Sequence, residues 1–383
     1  MISKKKVLVL TQYFVSPSEV FLYRQVIGIT KLQVIVAAFY RMGNENYPFE
    51  PFFKLSTELL LIRLFNAFLK RVRMIEMWNG IEYRHNFKRI LYKQLPDIID
   101  IKGAWIGTRF IRDIEDSQTP VVVLFIGSDI NCLHHYKRYY DKLKRLFRRA
   151  DRLIFPSIFL MEKGISIGCK KEKSSVVYYG VKLPNEIQNL PNRKNKFQLL
   201  SVARLNEDKG HKYLLRAMRL LKDRGISIDL KLIGDGPLRD KIKENIRVLG
   251  LENNIVLLGA LPSCQTLKYI SACDALILAS VRCKNGIEES FGIVLIEAGA
   301  YGKPVIASRI GGIPEIVEHE KTGLLIPEKE PDAIADAVEM LVRNPNNTMT
   351  MGIAGRKRVE EHFEENRQNA EYEKILLSVV NGY

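Results

Sequence analysis

Paired cysteines are the first thing this sequence lacks. Its 383 residues include five, Cys132, Cys169, Cys264, Cys273 and Cys283, an odd number without CxxC spacing. Neither a disulfide framework nor a cysteine-based zinc or redox site is expected. No apolar run is long enough to cross a bilayer, which speaks against a transmembrane helix. The apolar start Val7 to Leu10 is only a strand's length, follows Lys4, Lys5 and Lys6, and has no small-residue cleavage site behind it. No signal peptide is expected, and a cytoplasmic location is. Solenoid-period repeats and low-complexity tracts are also missing. Negative charge is the scarcer sign: 43 Asp and Glu stand against 59 Lys and Arg, a formal net charge of +16. Such a surface attracts polyanions, whether nucleic acid, anionic lipid headgroups or phosphorylated substrates. With no helix-turn-helix, zinc or aromatic RNA motif beside the charge, nucleic acid is the weakest of the three.

What is present fits a two-lobed globular protein: the length suits two domains, and 46% hydrophobic with 27% charged residues is ordinary for a soluble enzyme. Lys6 to Leu10 reads as a buried strand, Ser18 to Ile29 as a helix and Gln33 to Phe39 as a second strand, which together begin a βαβ unit. Val121 to Phe125 and Leu153 to Phe155 continue the strands, with a helix over Tyr136 to Arg149 between them. A polar, proline-containing stretch from Pro184 to Lys196 marks a linker. Beyond it the alternation restarts: strands at Gln198 to Val202, Ile228 to Ile233, Ile255 to Leu258, Ala275 to Ala279 and Pro304 to Ala307, with helices at Tyr213 to Arg224, Leu238 to Leu249, Thr266 to Ala272 and Ile293 to Tyr301. The fold class is therefore α/β, two Rossmann-like doubly wound parallel-sheet domains. Boundaries fall at 1–183 for the first domain, 184–196 for the linker and 197–360 for the second. An amphipathic helical end, Met351 to Val380, carries Phe363, Tyr372, Ile375, Leu376 and Val379 on one side.

Chemistry concentrates in the second domain. In Glu289-Ser-Phe-Gly-Ile-Val-Leu-Ile-Glu297-Ala298 a helix begins near Gly292, and its body is apolar around nearly its whole circumference, so it reads as buried. Glu297 within it then needs a partner, either a ligand or an internal Arg, Lys or hydroxyl, and Glu289 is either a ligand contact or a solvated loop acid. Free amides over Ser290 to Ile293 would form an anion site, strengthened by the helix dipole. Arg204 and Lys209 follow the domain's first strand, where open α/β sheets bind ligands. A guanidinium fork and an ammonium suit a leaving diphosphate, although such a pair in isolation is more often a solvated one. Gly234-Asp-Gly-Pro after the next strand is a turn signal.

Taken together, Arg204 with Lys209, Gly234-Asp-Gly-Pro, the Glu289 to Glu297 pair, Gly311-Gly-Ile-Pro-Glu-Ile-Val317 and Thr322-Gly-Leu-Leu325 resemble glycosyltransferase family 4. The resemblance covers about Leu199 to Pro327 and is diffuse before that. It implies a GT-B fold with two domains facing a cleft, and metal-independent transfer of a sugar from a nucleotide diphosphate with retention of configuration. The nucleotide sugar is a co-substrate, and no cofactor or metal is implied. By that resemblance Arg204 and Lys209 grip the diphosphate, Glu289 meets the transferred sugar and Glu297 the ribose. Amides around Phe291, Gly292 and Ile293 hold donor oxygens, Gly234 belongs to the donor side, and Gly259, Ala260 and Leu261 border the base. The terminal segment 361–383 would cross back to the first domain. The function so implied is sugar transfer to a lipid-linked or saccharide acceptor in surface polysaccharide or glycolipid synthesis. The alternatives are a catalytically silent GT-B subunit supporting a partner enzyme, or a phosphorylase or epimerase of the same shape.

The first domain departs from the family pattern. Where members carry His-Gly-x-Asp, this chain has Ile126-Gly127-Ser128-Asp129, with His134 and His135 nearby. Gly127 and Asp129 remain acceptor-side or sugar-side candidates. The usual glycine-rich first loop is replaced by a segment holding Ser18 and Glu19, which resemble the Ser-Glu pair of a polysaccharide-pathway branch, though such spacing also caps helices. Phe52 to Trp78 mixes apolar and basic residues like an interfacial helix, and Lys137 to Arg149 adds Tyr139, Tyr140, Leu143 and Phe147 to a second basic run. Peripheral contact with the anionic inner face of the cell membrane is the resulting expectation, with an ordinary amphipathic core helix as its alternative.

Overall fold

Runs of Val, Ile and Leu with no polar alternation form strands only where both faces of a sheet are covered, and each sheet of this protein has such runs, at 121–124 in one and at 275–278 in the other. In the computed structural model, which describes residues 4–15, 20–41, 47–55, 75–131, 137–185 and 196–382, the chain divides into two units. The first comprises Met1–Pro156, Met161–Val177 and Asn369–Tyr383, and the second Ser157–Leu160 and Tyr178–Gln368.

Among the described residues the first unit contains seven parallel strands, β1 (Lys6–Phe14), β2 (Gln33–Arg41), β3 (Phe52–Lys54), β4 (Ile98–Lys102), β5 (Val121–Leu124), β6 (Arg152–Phe155) and β7 (Ser174–Val176). Their order is β3-β2-β1-β4-β5-β6-β7. The second unit has six, β8 (Phe197–Val202), β9 (Ile228–Ile233), β10 (Ile255–Gly259), β11 (Ala275–Leu278), β12 (Val305–Ser308) and β13 (Gly323–Ile326), ordered β10-β9-β8-β11-β12-β13. Both are Rossmann orders, in which the strand order reverses beside the first strand and opens a crevice at the carboxyl ends. In the second unit that switch point lies between β8 and β11, which pair in parallel through Leu199 and Leu200.

Several elements were not legible from periodicity. β4 was hidden because its centre, Asp100, and its end, Lys102, are charged. In the fold these side chains are buried and pair at 2.9 Å. Lys102 also donates to Gln25 Oε1 at 2.6 Å and lies over the ring of Tyr372, whose hydroxyl donates to Asp100 at 2.6 Å. Mutual neutralisation is what lets charged residues occupy a central strand. Phe52 to Lys54 is a strand rather than the start of an interfacial helix, and a helix runs over Ile75–Gln94. Residues 56–74 of that expected segment lie outside the described residues, as do Ser18, Glu19, Cys132, His134 and His135.

The single terminal helix expected over Met351 to Val380 is instead two, Pro345–His362 and Glu365–Asn381. The break occurs because Val181 pairs with the chain there, donating to Phe363 O and accepting from the Glu365 amide. Glu364 then caps the last helix through the amides of Asn366 and Arg367. Phe363 consequently does not share a face with Tyr372. It packs on Tyr178 and Phe291 in the second unit, whereas Tyr372 and Leu376 join the core of the first.

The second basic run packs as an amphipathic helix of the first unit. In the helix Lys137–Arg149 the residues Tyr139, Leu143 and Phe147 are buried and Tyr140 is half-buried, with Tyr139 stacked on Trp105. Its apolar face packs on its own unit, and among the side chains described Arg138, Lys142, Lys144 and Arg148 are the exposed cations.

Candidate functional site

The loops after β8 and β11 meet at the switch point because glycine lets their backbones touch. Gly210 has φ +64°, and a Cβ there would lie 1.9 Å from the carbonyl oxygen of Ala279. The Val281 amide donates to Asp208 O at 2.8 Å, completing the seam. A turn over Glu207–Lys209 then delivers the lysine side chain to the loop that follows β11. Lys209 Nζ stands 2.7 Å from Glu289 Oε2 and 3.2 Å from Asp208 Oδ2. Ser280 Oγ donates to the same Glu289 oxygen at 3.3 Å, and the Phe291 amide donates to this carboxylate as well.

This cluster sets its own protonation. Burial pushes the Glu289 carboxyl up, but Lys209 and the donors from Phe291 and Ser280 outweigh it, so the group is held below its ordinary value. Burial likewise pulls Lys209 down, and the charges of Glu289 and Asp208 raise it past that effect. His211, opening the next helix, is driven down to about 4 by burial and by Lys209 and is neutral at ordinary pH. Its Nδ1 is buried without a hydrogen-bond partner among the described residues.

The helix Ile293–Ala300 starts from Gly292 at φ +98°, with no side chain capping it. Of its first-turn amides, that of Leu295 donates to Gly292 O at 2.9 Å, and those of Ile293 and Val294 have no intrahelical acceptor by geometry. Phe291 differs from the expectation: its ring is buried against Tyr178, Tyr179 and Phe363, and its amide is already used by Glu289. Gly292 and Ile293 therefore carry the open start of the helix. The helix is also less buried than its composition suggests. Leu295, Ile296, Ala298, Gly299 and Ala300 face inward, whereas Ile293, Val294 and Glu297 are half-exposed, so Glu297 sits on the open side. Residues four apart share a helix face, which sets Glu297 behind Ile293.

Arg204 is exposed, and its guanidinium has no partner among the described residues. Gly234 is where backbones cross: a Cβ there would lie 1.9 Å from Ala203 O, and its amide donates to Gly259 O at 2.8 Å. Its role is to let β8 and β9 loops pass. Gly259 (φ +73°) lies under the Arg239 guanidinium, Ala260 is exposed and Leu261 half-buried.

In the first unit, Asp129 is wholly buried and accepts from the amides of Ala104, Ile126 and Gly127 at 2.9 to 3.2 Å. Burial pushes it up to about 6 against those bonds. It shapes the turn at Gly127 (φ +98°), and both of its carboxylate oxygens are taken by backbone amides. The Ile126 side chain lies beside Gly103.

Sequence reasoning missed Asp208, Ser280 and the buried Glu288, which pairs with Arg282 at 3.0 Å. Asp208 adjoins Lys209 and was within reach of a sequence argument. Ser280 and Glu288 have no signal outside the fold. Among the described residues no three His, Cys, Asp or Glu side chains converge as a metal site.

Two parallel sheets in Rossmann order, the second with a lysine, an arginine and an open helix start at its switch point, place the protein in the GT-B class of α/β folds. Residues 184–358 match the model of the family described as glycosyl transferases group 1, and over those residues the chain is a member of that family. It is 33% identical over 269 residues to the amylovoran biosynthesis glycosyltransferase AmsK of Erwinia amylovora, covering 70% of this chain and 66% of that protein. To the putative colanic acid biosynthesis glycosyltransferase WcaL of Escherichia coli it is 28% identical, covering 72% and 68%. The chain thus spans about two thirds of the length of the curated relatives it matches. Among solved structures, Anabaena Alr3699/HepE in complex with UDP and glucose superposes with a TM-score of 0.78 at 21% identity, covering 98% of this chain and 100% of that one.

Proposed function

We propose that this protein transfers a sugar from a nucleotide diphosphate to a lipid-linked or saccharide acceptor in surface polysaccharide or glycolipid synthesis. The observation that carries the reading is the half-buried Lys209–Glu289 ion pair beside the open start of the helix at Gly292. Cleavage of the glycosidic bond leaves negative charge on the diphosphate, and donors preorganised there lower the barrier because they bind the transition state more tightly than the ground state. Arg204, Lys209 and the amides at Gly292 and Ile293 supply those donors. Glu289 holds the transferred sugar through its hydroxyls, and Glu297 the ribose. With the Glu289 carboxylate held by Lys209, Ser280 and the Phe291 amide rather than free to attack, the acceptor attacks from the side the diphosphate leaves, its proton passing to the departing phosphate oxygen, and configuration is retained. Arg204 and Lys209 take the charge-neutralising role, so transfer is insensitive to chelators. The names of AmsK and WcaL support polysaccharide synthesis as the setting, and the UDP complex of HepE supports a nucleotide-linked donor.

A panel of nucleotide sugars, scored for donor hydrolysis and transfer, tests this. Glu289→Ala is expected to lower turnover by about 100-fold or more, the scale of losing a transition-state contact, while the folded fraction stays near wild type. Full turnover in that variant would sink the site. Because Ile126 occupies the family's histidine position, a silent subunit is the second reading, and binding of UDP or GDP without turnover on any donor or acceptor would favour it.

A further inference from the structure

The backbone that carries Glu289 is held by residues far from it in sequence. Gly312 donates its amide to Glu289 O at 3.2 Å, and Cβ atoms at Gly311 and Gly312 would lie 1.8 Å from Glu289 O and 2.3 Å from Ser290 O. Only glycine backbone can lie that close. On the same carbonyl of Ser290 sits Ser157, wholly buried, whose Oγ donates to it at 2.7 Å. That hydroxyl also accepts from the Leu160 amide at 3.1 Å, so Ser157 caps the helix Ile158–Ser166 while gripping the donor loop. The first two amides of the helix are taken by Glu315: Ile158 N donates to Oε2 at 2.7 Å and Phe159 N to Oε1 at 2.8 Å. Glu315 itself lies three residues past Gly312, in the short helix Ile313–Ile316. Three segments, 157–160, 289–290 and 312–315, thus close a ring of hydrogen bonds, all within the second unit.

A carboxylate fixing two helix amides sets the position of Ser157, and Ser157 sets the height of the Ser290 carbonyl. Glu289 is one peptide away, with its side chain already tied to Lys209. We infer that Ser157 and Glu315 are positioning residues for Glu289, fixing the loop against which the transferred sugar is held. This rests on the sugar-transfer reading above. Misplacement of a reacting group by a fraction of an ångström weakens contacts made in the transition state more than those made to the bound donor. The effect should therefore fall on kcat and spare KM.

Ser157→Ala and Glu315→Gln are made in the full chain and assayed with UDP-glucose and GDP-mannose, with UDP and GDP calorimetry counting competent sites. Hydrogen exchange over 287–294 is followed without ligand. Expected for Ser157→Ala is a kcat about tenfold lower, on the scale of one buried hydrogen bond, with donor KM within about twofold and unchanged nucleotide stoichiometry. Exchange at 287–294 should speed up about tenfold, with β12 and β13 unaffected. Glu315→Gln, which keeps one acceptor, should shift the same quantities less. Unchanged exchange at 287–294, or a rate loss matched by a loss of nucleotide-binding sites, overturns the proposal. A wild type that neither turns over these donors nor binds either nucleotide overturns the sugar-transfer reading, and with it the catalytic consequence. The exchange result then still decides whether Ser157 and Glu315 hold the loop.

Discussion

At the scale of single residues, the site is one half-buried lysine shared by two carboxylates. Lys209 reaches Glu289 and Asp208 together, and Ser280 and the Phe291 amide complete the Glu289 oxygens. The sign of the pH dependence follows. Glu289 is held below its ordinary 4.5 in the folded state, so its contribution to stability is present above that value and is lost as pH falls through the lower folded value. Lys209 is raised above 10.5, so its contribution is complete below that value and disappears at higher pH. The stability of wild type over Glu289→Gln should thus be flat from about pH 6 to 9 and shrink below about pH 4.5. Urea titrations at several pH values check this, and a difference already falling at pH 6 would contradict the pairing.

At the scale of elements, glycines decide where loops can meet. Gly311 has φ +55° and no room for a Cβ against Glu289 O, whereas Gly286 has φ +77° and open space around its own. Gly311→Ala must move the backbone carrying Glu289 and should lower turnover by about 100-fold, given the cost of displacing catalytic groups by about 1 Å. Gly286→Ala has only backbone strain to bear, about 1 kcal/mol, and should keep turnover within about threefold. Steady-state rates on the same donor compare the two, and equal losses would show that the strain at positive φ, not the contact with Glu289, matters. The helix Ile293–Ala300 was legible as a helix because its start is punctuated by Gly292. Its depth was not, since which residues face the core depends on the helix Pro345–His362 packed beside it.

At the scale of the molecule, the excess positive charge is a surface property, and the described residues contain no helix long and apolar enough to cross a membrane. Arg138, Lys142, Lys144 and Arg148 are exposed on a helix whose apolar side is covered. Any contribution of this helix to membrane contact is therefore electrostatic, on the order of 1 kcal/mol per basic residue near an anionic surface. Replacing all four by Glu should weaken flotation with phosphatidylserine vesicles at about 50 mM salt, with the difference vanishing near 500 mM as charges are screened. A difference that survived high salt would point to insertion instead.

Alternating apolar runs and glycine punctuation determined by themselves that there are two parallel α/β sheets, and the motif spacing from Arg204 to Thr322 located the family and the edge where the site lies. These are local signals, carried by residues close together in the chain. Tertiary structure alone decided that β4 could hold Asp100 and Lys102, that Asp129 turns inward, that Glu297 stands on an open face, and that Ser157 reaches Ser290, 133 positions away along the chain. Each of these depends on which groups satisfy one another's charge or hydrogen bonds after burial, and that pairing exists only once the chain has folded.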